Sequence, residues 1–207
     1  MHLARRAWCR TYQTVFRIAL PILPYTEPRI LEHAEDVPAV LQKRSIMKVL
    51  IVTDPGIARL GLTAPLERAL TAQGIGVTVY AETRANPTVS NVEEAAALYR
   101  ENDCRAIIGF GGGSAMDCAK GVGARIAQPN KPINKMRGLL RVHRLLPLLI
   151  AVPTTAGTGS EVTLAAVITD NETHYKYPIN DFVLIPRFAV QDPEFTRGLP
   201  ASITGQT

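Results

Sequence analysis

Cysteine is scarce in this chain of 207 residues: Cys9, Cys104 and Cys118 make an odd count of three with no C-x-x-C spacing. That argues against a disulfide framework and fits a reducing, cytoplasmic compartment. Histidine is equally thin. His2, His33, His143 and His174 are scattered, none with an i, i+3 or i, i+4 partner suited to a metal, so no residue is assigned to a metal site. No uninterrupted apolar run is long enough to span a membrane. The arginine-rich start and the stretch Val15 to Pro24 have the outline of a signal peptide, but Arg17, Pro21 and Pro24 break the apolar run and no small-x-small cleavage site follows. Neither a targeting segment nor a membrane partner is expected.

Acidic residues are missing from two stretches. Residues 1–26 hold Arg5, Arg6, Arg10 and Arg17 and no acid, and between Asp117 and Glu161 the chain carries Lys120, Arg125, Lys131, Lys135, Arg137, Arg141 and Arg144 and again no acid, within a formal net charge of +5. No recognised nucleic-acid motif or interleaved aromatics accompany these bases, so a nucleic-acid partner is not expected. A basic segment between two ligand loops would instead raise the potential felt by a bound pyrophosphate.

What is present is an ordinary α/β composition, 46% hydrophobic and 20% charged, with no repeat or low-complexity segment. Apolar patterning predicts strands over Met47 to Thr53, Gly76 to Ala81 and Arg105 to Phe110, alternating with helices over Leu62 to Gln73, Val92 to Glu101 and Ala115 to Ala127. Residues 128–146 read as a surface connection with a short helix. Further strands are predicted over Pro147 to Val152, Val162 to Thr169 and Val183 to Val190, with His174 to Pro178 as a bend. Alternation of this kind makes a parallel sheet with helices on both faces.

Two loops carry chemistry. The run Ala106 to Phe110 stops at Gly111-Gly112-Gly113, followed by Ser114 as a helix N-cap and an alanine-rich helix. Glycines admit a ligand to the backbone, and free N–H groups with the positive end of the helix dipole favour an anion, although close packing also produces such turns. The run ending at Val152 leads into Pro153-Thr154-Thr155-Ala156-Gly157-Thr158-Gly159-Ser160-Glu161, hydroxyl-rich and suited to a sugar or phosphate, or an ordinary threonine and serine turn. The pair favours a nucleotide. Asp54 ends an early strand, far ahead of the glycines, so the order departs from a simple G-x-G-x-x-G fingerprint. Cys118 reads as a small packing residue.

These segments, with Ile51-Val52-Thr53-Asp54, Asn86-Pro87-Thr88, the 111–120 and 153–161 motifs, Ile168-Thr169-Asp170 and Asp192-Pro193-Glu194, resemble the iron-containing alcohol dehydrogenases over nearly the whole chain. Cys9-Arg10-Thr11-Tyr12-Gln13 is similar to the start of one bacterial branch. The resemblance implies a Rossmann-like, doubly wound and mainly parallel α/β sheet of the dehydroquinate synthase type, with residues 1–207 forming the NAD(P)-binding domain and residues 1–44 its extension and lead-in. Family members continue into an all-helical domain with one Asp and three His ligands for Fe2+ or Zn2+. That domain would begin where this chain ends, so the metal is expected only in the complete enzyme, and the chain alone is expected to turn over little alcohol.

Carried over by resemblance, Gly112, Gly113 and Ser114 hold the pyrophosphate and Asp117 supports the loop or a ribose. Asn86 lies on the adenosine side. Thr154, Thr155 and Thr158 line the nicotinamide ribose, and Lys176 reaches a ribose hydroxyl. An acid at Asp54 beside the adenosine ribose accepts from the 2′-hydroxyl and repels a 2′-phosphate, implying NAD(H) over NADP(H), unless it is only a strand-end turn residue before Pro55-Gly56. Lys120 either adds charge near the phosphates, faces solvent or pairs with a neighbouring acid. The implied reaction is reversible hydride transfer between an alcohol and its aldehyde or ketone, with a homodimer as the expected assembly. A polyol dehydrogenase half and a non-catalytic nucleotide-binding remnant are the alternatives.

Overall fold

The computed structural model describes residues 25–197, together with Trp8, Arg10, Thr11, Gln13, Thr14 and Arg17, which are helical. The expectations placed on Cys9 and Tyr12, on most of Val15 to Pro24 and on the chain end beyond Arg197 lie outside the described residues.

Parallel pairing follows from strands that are apolar on both faces. In β2 (Lys48–Val52), Val49 and Ile51 face one side of the sheet while Leu50 and Val52 face the other, and all four are fully buried. The neighbouring β4 (Ala106–Gly111) is buried at every position. With β1 (Arg29–Leu31), β3 (Gly76–Tyr80), β6 (Leu148–Pro153) and β9 (Phe188–Val190), these form a six-stranded sheet in the order β1-β9-β6-β4-β2-β3, parallel at every pair. From Arg29 onward, then, the expected lead-in is already part of the domain.

Helices cover both faces. On one side α1 (Val37–Gln42) and α3 (Ala64–Ala72) seat Val37, Leu41, Leu66 and Leu70 against Val49, Ile51, Ile108 and Phe110. On the other, α4 (Val89–Glu101) and α5 (Gly113–Ala127) seat Val92, Ala95, Cys118 and Val122 against Leu50, Val52 and Ile107. Small residues set the approach of α5. A Cβ at Gly109 would lie 3.0 Å from the Ala119 Cβ and 3.1 Å from the Met116 Sδ, and one at Gly121 would lie 2.8 Å from a Val92 methyl.

The chain runs from β2 outward to β3, then returns to the opposite side of β2 to build β4. Strand order reverses there, and in open α/β sheets the crevice at the carboxyl ends of the two strands flanking such a reversal is where ligands bind.

Four expectations change. Residues 128–146 carry the expected short helix, Ile133–Met136, but are more than a surface connection, because Ile133, Met136 and Val142 are fully buried in the core. The helix after the glycine turn is N-capped by Gly112, with Ser114 inside its first turn, because the extended backbone of Gly112 already ends the strand. The single strand expected over Val183 to Val190 is a short 3-10 turn, Phe182–Leu184, followed by β9, because Pro186 interrupts it and Asp181 caps the turn by accepting from the Val183 N–H. The bend expected at His174 to Pro178 holds a strand from Lys176 on. β8 (Lys176–Asn180) pairs antiparallel with β7 (Ala165–Thr169) and parallel with β5 (Gly138–Leu139) as a second sheet packed on α5. The turn between β7 and β8 is made by Asp170, which accepts from Glu172 N at 3.0 Å and Thr173 N at 2.9 Å.

Candidate functional site

A cleft of about 860 Å³ opens at the reversal point, lined by Asp54 from the end of β2, by Gly112, Gly113 and Ser114 from the start of α5, and by Thr154 and Thr155 from the end of β6. One ladder bond sets the register of the two loops: Thr154 N donates to Gly111 O at 3.0 Å. Gly111, at φ 143°, holds a backbone that a side chain would not take, and a Cβ on it would lie 2.9 Å from the Ala115 Cβ.

The floor of the cleft is a helix end whose cap residue, Gly112, has no side chain to bond it. Asp54 caps α2 (Pro55–Arg59) and Thr88 caps α4, but no side chain bonds the α5 N-terminus and no acid lies in its first turn. Its leading N–H groups have no partner within the helix. A group seated there meets free donors and the positive end of a helix dipole, which favours an anion by about 0.3–1 kcal/mol before any hydrogen bond is counted.

The threonine loop lies directly over this floor. A Cβ at Gly112 would lie 3.4 Å from the Thr155 methyl, and one at Gly113 would lie 3.2 Å from Ser160 Oγ and 3.7 Å from the Thr158 methyl. Thr155 Oγ1 is buried without a hydrogen-bond partner among the described residues. An orphaned hydroxyl in a cleft wall is satisfied when a polar ligand arrives.

Beside the floor, the Lys176 Nζ donates to Asn86 Oδ1 at 2.9 Å and Asn86 N donates to Ser114 Oγ at 3.2 Å. Asn86 takes a left-handed backbone, φ 60°, which asparagine tolerates better than most residues. Asp54 serves two faces. Its Oδ1 accepts from Gly56 N at 2.8 Å and Ile57 N at 3.0 Å, while Oδ2 is turned toward Gly111 and has no hydrogen bond within the described residues. The strand-end turn reading therefore accounts for one oxygen only.

Asn86, Thr158 and Lys176 are neighbours of the cleft and not part of its lining, and two further residues stand elsewhere. Asp117 does not line the cleft; its Oδ2 accepts from Val167 N at 3.1 Å and so fastens β7 to α5. Lys120 is 1% exposed and neither faces solvent nor reaches the cleft. Its Nζ donates to Thr163 O at 2.7 Å, Thr163 Oγ1 at 2.9 Å and Ala165 O at 2.9 Å. Burial pushes its ammonium down to about 8, against the opposing pull of Asp117 and Glu161.

Sequence reasoning missed Arg59, Arg84, Leu60 and Leu62, which line the same cleft. A sequence signal exists for Arg59 alone: a proline directly after a capping aspartate starts a helix, and α2 forms one lip of the cleft.

Burial raises the Asp117 carboxyl to about 6, with the Val167 N–H and Lys120 opposing. The native state then holds this proton more tightly than the unfolded chain. Its contribution to stability is fully present below about pH 4 and is lost as the pH rises through about 6. Asp117→Asn keeps an oxygen for Val167 and removes the titration. Denaturant unfolding from pH 4 to 7 should show the wild type losing on the order of 1–2 kcal/mol relative to the variant, whereas parallel curves would contradict the assignment.

A doubly wound α/β domain with a glycine-capped helix end and a hydroxyl-rich loop at its reversal point defines a nucleotide-binding type of domain. The chain belongs to the iron-containing alcohol dehydrogenase family, whose model matches residues 30–193. It is 41% identical over 158 residues to alcohol dehydrogenase 4 of Schizosaccharomyces pombe, covering 76% of this chain and 37% of that one. Among solved structures, a 1,3-propanediol oxidoreductase superposes with TM-score 0.81 at 32% identity, covering 87% of this chain and 48% of that one. The sulfoacetaldehyde reductase of Bifidobacterium kashiwanohense in complex with NAD+ superposes with TM-score 0.73 at 30% identity, covering 86% and 48%. The chain thus spans half or less of the length of these relatives.

Proposed function

We propose that this chain is the dinucleotide-binding half of an NAD(H)-dependent alcohol dehydrogenase that interconverts a small alcohol with its aldehyde or ketone. The observation that carries it is the α5 N-terminus, without a side-chain cap, facing an orphaned Thr155 hydroxyl across the cleft. Family membership and the NAD+ complex of the Bifidobacterium reductase support the same reading.

The residues fit a dinucleotide. Gly112, Gly113 and Ser114 present backbone N–H groups to the pyrophosphate, and Thr155 adds a hydroxyl from the facing loop. Lys176 and Asn86, joined to each other and to Ser114, would offer contacts to a ribose hydroxyl. The free Oδ2 of Asp54 accepts from the adenosine 2′-hydroxyl. When bound, the nicotinamide ring supplies the hydride acceptor or donor, and the protein supplies its orientation. Among the described residues no three His, Cys, Asp or Glu side chains come together to hold the metal that the family implies.

Asp54→Asn isolates the carboxylate charge, since it keeps an acceptor for Gly56 and Ile57. NADPH affinity should rise about tenfold relative to NADH, as expected from removing one like charge beside a 2′-phosphate at a solvent-facing site. An unchanged ratio in parallel fluorescence titrations would assign Asp54 to helix capping alone.

A further inference from the structure

Lys120 is the one buried lysine among the described residues, and its surroundings have a pattern. An ammonium taken from water is tolerated only when its N–H groups are satisfied. Here three acceptors serve it, the Thr163 carbonyl and hydroxyl and the Ala165 carbonyl. One turn earlier on α5, at i, i+3 and hence on the same helix face, Asp117 takes the Val167 N–H. Residues 163, 165 and 167 alternate, so their backbone groups point to one edge of the extended segment. That is the edge of β7 not paired with β8. Lys120 answers carbonyls and Asp117 answers an N–H: two side chains of α5 take the place of a neighbouring strand.

The same segment continues the threonine loop. The loop is tied at its start by Thr154 N to Gly111 O and at its end by Thr163 to Lys120. Between those ties Thr155, Thr158 and Ser160 lie over Gly112 and Gly113. We propose that Lys120 is a positioning residue for the dinucleotide cleft: with Asp117 it fastens the threonine loop to the helix whose N-terminus receives the phosphates, holding the two walls in register. The proposal rests on the nucleotide reading above.

Lys120→Met keeps the stem and removes the ammonium. Arg125→Met on the same helix is the matched control, because it breaks the buried side of the Arg125 to Glu93 ion pair, 2.6 Å, away from the cleft. Both variants are expected to lower the melting temperature. Only Lys120→Met is expected to weaken NADH binding, by tenfold or more, and to speed amide hydrogen exchange over residues 155–167. The pH profile separates the ammonium from mere packing. The groups facing Lys120 are Asp117 on its own helix, Glu161 from the loop, and the Thr163 and Ala165 oxygens. NADH affinity of the wild type should fall at least threefold from pH 7 to pH 9.5 and stay flat in Lys120→Met. If Lys120→Met does not fold, Thr163→Val removes one of the three acceptors and should give a smaller loss in the same two readouts. Equal NADH affinity in Lys120→Met and Arg125→Met, or unchanged exchange over 155–167, overturns the proposal. Absence of NADH binding by the wild type overturns the nucleotide reading instead, and the exchange arm then decides the fastening by itself.

Discussion

Ser114→Asp should leave the protein as stable as the wild type or slightly more so, and should nearly abolish dinucleotide binding. The two effects have opposite signs for one physical reason. Ser114 lies in the first turn of α5, where no acid is present and no side chain caps the end. A carboxylate there is favoured by the helix dipole by about 0.3–1 kcal/mol. It can also keep accepting the Asn86 N–H that Ser114 Oγ now takes. A pyrophosphate approaching the same N–H groups meets a like charge a few ångströms away, at a penalty of about 2–4 kcal/mol for an effective dielectric near that of a protein surface. That corresponds to a loss in NADH affinity of roughly 30- to 700-fold. Thermal melts and NADH titrations on the same preparation check it. A stable Ser114→Asp that binds NADH as the wild type does would place the phosphates somewhere other than this helix end.

The second large effect is expected at Gly109, in the middle of β4. Its absent side chain lets α5 lie on the sheet, with Ala119 and Met116 where a Cβ would need space. Gly109→Ala requires a shift of a few tenths of an ångström and should destabilise by about 1 kcal/mol, while Gly109→Val forces α5 off the strand and should cost about 3 kcal/mol or more. For a chain of this size the latter is roughly 6–12 °C in melting temperature. Because α5 carries the floor of the cleft, NADH affinity should fall in the same order, glycine over alanine over valine. A Gly109→Val protein with an unchanged melting temperature would show that α5 is not held by this contact.

Most of the parallel sheet was legible because its strands are continuous apolar runs closed by turn residues. Val49 to Val52 and Ile107 to Phe110 announce burial on both faces, and glycine after Phe110 announces the turn. What escaped was decided by contacts distant in sequence. β1 is three residues long and exists because β9 lies beside it. β8 contains Pro178 and follows a polar turn, so nothing local marks Lys176–Asn180 as a strand until β7 pairs with it.

The cleft divides in the same way. Asp54, Gly112, Gly113, Ser114, Thr154 and Thr155 could be named because each sits at a strand end, and the parallel sheet brings strand ends together. Asp117 and Lys120 could not be placed, since a helix repeat says that they share a face but not what that face meets. Arg59 and Arg84 follow the strand ends by several residues, and both stand exposed at the rim of the cleft. Neither arginine carries a pattern that distinguishes it in sequence from a solvated one.

The proposed function requires this domain to bind a nicotinamide dinucleotide at the α5 end of the cleft, with Asp54 setting the preference. Fluorescence titration of the 207-residue chain with NADH and with NADPH tests it most directly. Saturable binding of NADH, with NADPH weaker, is the predicted result. A folded chain that binds neither nucleotide would contradict it.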